Sequence, residues 1–307
     1  MSQSTVHVND SARMNGNVAR PITDRLWRSG VIMGSMITSD GDRLQSVERA
    51  MSVLLAFDAQ RPSATMAELA EATKLARPTV RRILLTLHGL GYVENSGSHW
   101  RLTPRVLSIG QHYSASNSII EVAQPHLQRL AERTGESASL AALDGTDAVY
   151  IGRVSIRRIM TINVSIGTRV PAHATSMGRV LLAWAAPELI AQVIDETGLP
   201  AHTRWTVTDA SIFRGALRTV KDQGWSLVSE ELEAGLISVA APVRDQNGTV
   251  IAALASSTST GRSSGEKLVA DTVPLLVATA EKISDDLGHH VPAASRSLRA
   301  NAHEGFF

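Results

Sequence analysis

Cysteine is absent from the 307 residues. That removes disulfides, thiolate metal centres and cysteine nucleophiles from consideration. The histidines are scattered, with His173, His202 and His289-His290 far apart, so no metal-ligand spacing is visible. Neither a metal nor another cofactor is expected. No apolar run approaches the ~20 residues a membrane span needs. Met1 to Ser11 is polar and lacks the apolar core of a secretory leader. A soluble, cytoplasmic protein with no membrane partner is therefore expected. An excess of one charge is missing too: 30 Lys and Arg face 29 Asp and Glu, for a net charge of +1. Any affinity for a polyanion must come from where the charges sit. The length allows two cores of ordinary domain size.

The most informative stretch runs from Thr65 to Leu102. Met66, Leu69, Ala70 and Thr73 repeat at the spacing of one helical face. Thr65 before them and Glu68 three residues on predict a capping box. Lys74 to Ala76 make a turn, and Pro78 suits the first turn of the next helix. That helix should bury Val80, Ile83, Leu84 and Leu87, leaving Arg77, Thr79, Arg81 and Arg82 pointing outward. Tyr92 to Glu94 and His99 to Leu102 read as two strands around a Ser-Gly-Ser tip. A winged helix-turn-helix follows, whose second helix enters the DNA major groove. Between Arg43 and Thr103 there are only eight basic residues against five acidic ones. Three of the arginines, however, fall within six residues at one helix start, where the helix dipole adds to their charge. Ser98, His99 and Arg101 on the wing, with Ser96, can bond phosphate or minor-groove atoms.

The rest of the chain predicts an α+β architecture. Residues 1–42 read as a mobile extension, with Arg20, Arg25 and Arg28 as a possible basic arm, and 43–103 as the DNA-binding domain. Its first helix, Leu44 to about Ala59, should place Leu44, Val47, Met51, Leu54 and Leu55 in the core. Thr103-Pro104 caps a linker helix within 104–118, with Val106, Leu107 and Gly110 on one side. Residues 119–290 form a second domain. A helix kinked or interrupted at Pro125 leads into strands 137–143 and 148–154 around Asp144-Gly145-Thr146-Asp147. A strand follows over 158–164, then helices over 177–184, 187–196 and 209–223. Strands over 225–229, 238–244 and 249–256 precede a long helix, 264–287. Residues 291–307 read as a mobile tail. Antiparallel strands covered by helices make a layered domain.

Four blocks in order carry a family resemblance: Ser46 to Phe57, Leu75 to Leu87, Gly167 to Ala183 and Glu230 to Leu254. From about Arg43 to Leu287 the chain resembles the IclR family of bacterial transcription regulators. It is most similar to the PcaR/PobR subgroup, which governs aromatic-acid catabolism through the β-ketoadipate pathway. The resemblance implies a GAF-like effector-binding domain, a linker helix that contributes to the dimer, and double-stranded operator DNA as partner. It also implies a small organic acid effector, lying between a helix start and the sheet. The matching positions are Ser176 and Met177 at the helix start, Ile159 and Ile162 near the third strand, Leu236 and Ser238 on the next wall, and Ala255 and Ser257 on the last strand. A helix start displays unpaired N–H groups suited to a carboxylate, and Gly178 would let the backbone approach the ligand. An aromatic acid fits these residues, and a short aliphatic keto acid is the alternative. Arg153, Arg158, Arg169 and Arg179 are all available as counter-ion. His173 reads either as a ligand contact or as a satisfied buried histidine. A homodimer, or a dimer of dimers, on a palindromic operator is expected, with repression and activation both open.

Two rivals belong to other classes. Gly261-Arg-Ser-Ser-Gly265 matches the G-x-S-x-G of serine hydrolases, which would make Ser263 a nucleophile. The surrounding polar stretch is too long for a nucleophile elbow, and only His289, His290 and His303 follow it, so no catalysis is expected. The second rival is a sensor that uses its helix-turn-helix only for protein contact.

Overall fold

The computed structural model describes residues 44–58, 60–116, 118–156 and 164–289. The extension, the tail and almost all of the expected strand 158–164 lie outside them.

Helix α1 spans Gln45–Leu55, β1 Ser63–Thr65, α2 Met66–Thr73, α3 Arg77–Gly89, β2 Val93–Ser96 and β3 His99–Leu102. The capping box forms as expected. Thr65 Oγ1 accepts from the Glu68 amide at 3.3 Å, and the Glu68 carboxylate accepts from the Thr65 amide at 2.7 Å. The Thr65 amide and the Thr65 hydroxyl, which donates to the same carboxylate oxygen at 2.8 Å, hold the Glu68 carboxyl below its usual range. Lys74 ends α2 in the left-handed region at φ 55°, and Pro78 sits in the first turn of α3. Strand β1 was not anticipated. It has three residues, and only its pairing with β3 makes it a strand, giving the order β1-β3-β2. Val53, Leu69, Val80, Leu84, Val93 and Trp100 close this core.

The expected inner stripe of α1 is corrected. Val53 is fully buried and Leu54 partly so, but Leu44, Val47, Met51 and Leu55 are exposed, Leu44 at 69%. Their helical period is real, and it marks a second apolar face. The linker repeats the pattern. After a 3-10 turn at Pro104–Val106, capped by Thr103, α4 runs Leu107–Ser116. Leu107 is 71% exposed, and Ile109 and Tyr113 are exposed too. Helix α5, Ser118–Thr134, continues through Pro125 uninterrupted, so of the two expected effects of that proline the break does not occur.

Next come β4 Ser137–Asp144, β5 Asp147–Val154, β6 Arg169–Pro171, α6 Ser176–Ala183, α7 Pro187–Thr197 and α8 Ala210–Gln223. β7 Ser226–Ser229, β8 Leu236–Arg244 and β9 Val250–Ser259 follow. Then α9 Gly265–Lys267, a π turn Leu268–Thr272 and α10 Val273–Asp286 complete the described chain. The six strands form one antiparallel sheet in the order β6-β5-β4-β9-β8-β7. Strand β6 was missed, again a three-residue element defined by its neighbour. The pleat sends alternate residues to opposite faces. Leu140, Val239 and Leu254 meet Leu127 and Leu130 of α5 and Leu276 and Ile283 of α10. On the other face Ala141, Ala240, Ala253 and Ala255 meet Met177, Val180 and Leu181 of α6.

Those alanines let α6 lie close to the sheet, and its other side is closer still to the preceding 3-10 turn. A Cβ on Gly178 would fall 2.1 Å from the Ala172 carbonyl oxygen and 2.2 Å from its Cα. Backbone cannot yield as a flexible side chain can. Gly178 therefore serves this packing. Gly178→Ala should lower stability by on the order of 3 kcal/mol or leave the chain insoluble. Urea unfolding checks this, and a wild-type midpoint would contradict the packing described.

Candidate functional site

The first surface is the exposed end of α3. Arg77, Arg81 and Arg82 are exposed and Thr79 is half-buried, while Val80, Leu84 and Leu87 hold the opposite side in the core. Arg77 and Arg81, four residues apart, share one face. The first turn of α3 carries no acidic residue to offset them. The wing turns through Gly97 and Ser98, with Gly97 at φ 65°. Ser98, His99 and Arg101 are all exposed. Ser98 Oγ and His99 Nδ1 are 3.1 Å apart, and Arg101 Nε donates to Glu94 at 2.5 Å. Arg77, Arg81 and Arg82 thus project with the helix start, whereas Arg101 already has a carboxylate partner.

The second surface surrounds the start of α6. Thr175 is its N-cap, and Thr175 Oγ1 accepts from the Gly178 amide at 3.1 Å. The geometry of a helix start leaves the Ser176 and Met177 amides without partners inside the helix. Ser176 and Met177 are buried, and the hydroxyls of Ser176 and Ser238 are 2.8 Å apart. Ala255 is buried, and Leu236 and Ser257 are half-buried. The pairings Ser238↔Ser257 and Ala240↔Ala255 put these residues on the face that carries α6. Six of the eight expected effector contacts therefore converge. Ile159 and Ile162 lie outside the described residues. Sequence reasoning missed Ser137 and Ser139, which pair with Ser257 and Ala255 and share that face. Their alternation in Ser137-Ala-Ser139 was the available signal.

The arginines can now be sorted. Arg179 is buried, donating to Glu231 at 2.7 Å and to the His173 carbonyl at 3.1 Å. Burial lowers its pKa more than the Glu231 charge raises it. Arg169 clamps the β4–β5 hairpin through Asp144 and Asp147. Both are committed to the protein. Arg153 pairs with Ser139 across the ladder, so it stands on the α6 face, and its Nε donates to Ser155 at 2.9 Å. Arg158 lies outside the described residues. His173 is 1% exposed, its Nε2 donates to the Pro200 carbonyl at 3.1 Å, and its ring lies near His202 and Phe213. It follows the satisfied-histidine reading. Ser263 lies in the loop after β9, and its hydroxyl donates to the Ser264 carbonyl at 3.4 Å rather than to a base. Among the described residues no group could hold a metal, and no helix is long and apolar enough to cross a membrane.

A winged helix with an arginine-bearing recognition helix, followed by a sheet domain with a hydroxyl-lined helix start, defines a ligand-responsive class of DNA-binding regulator. Comparison with known proteins gives the family. Residues 46–97 match the IclR helix-turn-helix domain, and residues 111–285 match the C-terminal domain of bacterial IclR transcriptional regulators. The Pca regulon regulatory protein of Pseudomonas putida is 36% identical over 83% of this chain and 86% of its own. The p-hydroxybenzoate hydroxylase transcriptional activator of Acinetobacter baylyi is 34% identical over 79% and 91%. An IclR homolog from Microbacterium hydrocarbonoxydans, solved with 4-hydroxybenzoate, superposes with a TM-score of 0.70 at 28% identity, over 79% of this chain and 98% of that one. The chain belongs to the IclR family of DNA-binding transcriptional regulators, which are not enzymes.

Burial pushes the His173 pKa down to about 4, because a charged imidazole would lack solvation there. A histidine whose pKa is depressed on folding binds fewer protons than in the unfolded chain. Its contribution is therefore whole above the unfolded value and declines as pH falls from about 6.5 to about 4, by at most about 3 kcal/mol. His173→Asn should flatten that part of the pH–stability curve. An unchanged slope in urea titrations between those limits would refute the assignment.

Proposed function

We propose that this chain binds a two-fold operator as a homodimer, or as a pair of dimers, and that a small aromatic acid sets its affinity for that site. The pathway it serves is aromatic-acid catabolism of the β-ketoadipate type. The observation that carries the effector reading is the convergence of Ser176, Ser238 and Ser257 at the start of α6. Hydroxyls and helix amides hold a carboxylate without a metal. The 4-hydroxybenzoate complex of the Microbacterium homolog supports this ligand class, and the two relatives named for Pca and p-hydroxybenzoate hydroxylase regulation support the pathway.

Arg77, Thr79, Arg81 and Arg82 form the base-reading end of α3, and Ser98, His99 and Arg101 contact the backbone beside it. The exposed apolar faces of α1 and α4 are the surfaces a second copy covers. Water-facing Leu44, Met51, Leu55 and Leu107 cost free energy that pairing recovers. Effector binding then changes how the two domains of each protomer are held in the dimer. The acid must bind one arrangement better than the other for any shift to follow.

Arg81→Ala should weaken specific operator binding by about 1–3 kcal/mol and relax discrimination at one base pair. Mobility shifts on the DNA upstream of its own gene measure this. Binding indifferent to Arg77, Arg81 and Arg82 together would instead favour the protein-contact sensor. Met51→Asp should move sedimentation equilibrium toward monomer, and an unshifted profile would place the dimer contact elsewhere.

A further inference from the structure

A row of serines crosses three neighbouring strands on the face that carries α6. Ser238 of β8 pairs with Ser257 of β9, and Ser137 of β4 pairs with the same Ser257. Residues opposed in an antiparallel ladder share a face. All three hydroxyls therefore stand on the side where Ser176 reaches Ser238 at 2.8 Å. The two ends of the row differ. Ser238 is buried and bonded to Ser176, beneath the start of α6. Ser257 and Ser137 are half-buried, and among the described residues neither hydroxyl makes a hydrogen bond.

From Ser238 to Ser137 is two strand spacings, about 10 Å. That suits a single aromatic ring with a polar group at each end, lying across the strands. A ring anchored by its carboxylate at Ser176, Ser238 and the α6 amides passes over Ser257. The position opposite the carboxylate then comes to Ser137. The polarity continues past Ser137, because the neighbouring strand brings Arg153 to the same face, its Nε held by Ser155. A ring substituent there meets donors and acceptors, whereas a bare C–H would leave the Ser137 hydroxyl without a partner under the bound ligand.

We propose that Ser137 is the specificity-determining residue for the far end of the effector, and that the effector carries a second polar group para to its carboxylate. This rests on the effector reading above and narrows the ligand from aromatic acids at large to those polar at both ends. Ser176 and Ser238 hold the group shared by all such acids, and Ser137 separates them.

Calorimetric titration of the full chain with 4-hydroxybenzoate and with benzoate tests it. Wild type should favour 4-hydroxybenzoate by about tenfold, the worth of one well-placed hydrogen bond to an otherwise unpaired group. In Ser137→Ala that preference should shrink to about twofold or less, because 4-hydroxybenzoate loses its partner while benzoate no longer strands a hydroxyl and binds at least as tightly as to wild type, which also certifies that the variant is folded. Equal affinity of wild type for the two acids, or an undiminished preference in Ser137→Ala, overturns the proposal. If 4-hydroxybenzoate binding is lost in Ser176→Ala but indifferent to Ser137→Ala, the effector site stands and only the role of Ser137 falls. If wild type binds neither acid, the effector reading falls with it.

Discussion

The close approach of α6 to its surroundings is the constraint on which the C-terminal domain depends. One side of the helix rests on Ala141, Ala240, Ala253 and Ala255. Its first turn is pressed against the Ala172 backbone at Gly178. All eight residues of this short helix are buried. With both sides fixed, the first turn has one place to go, directly over Ser238, and the hydroxyl pair at 2.8 Å records it. The proposed effector site is thus a by-product of tight packing. The serines can meet because the alanines beside them take up so little room.

Much of this was legible in the sequence, for physical reasons that differ by region. The helix-turn-helix announced itself through local chemistry: Thr65 with Glu68, the left-handed Lys74, Pro78 at the next helix start, and Gly97 at the wing tip. Such signals need no tertiary partner. Strands β1 and β6 were invisible because three residues carry no usable period, and only the neighbouring strand makes them strands. The stripe on α1 was seen and given the wrong face. Periodicity says that a helix has an apolar side and is silent on whether the chain's own core or another molecule covers it. For the proposed effector site, residues matched to a family pattern came together, while Ser137 lay in an ordinary alternating strand whose face is set by register.

The arginines show where reading by residue type runs out. Four were equal candidates for a carboxylate counter-ion by sequence. Arg179 and Arg169 are consumed by Glu231, Asp144 and Asp147 in holding the fold. On α3, by contrast, Arg77 and Arg81 emerge from a helix whose other side is fully engaged in the core. The same side chain is mortar in one domain and stands exposed to solvent in the other, and the difference is whether a carboxylate was folded in beside it.

The Arg179–Glu231 pair also limits how the protein can diverge. Glu231 accepts from the Val207 amide with the same oxygen that meets Arg179, and its own carbonyl accepts from Thr206. Helix α6 and the loops around residues 206 and 231 are thereby tied through one charged knot. Losing either member strands the other charge in a dry interior, at roughly 3–5 kcal/mol, a large share of what holds a typical domain together. Lineages can reach a neutral version of this knot only by replacing both residues in quick succession, so positions 179 and 231 should drift as a couple rather than singly.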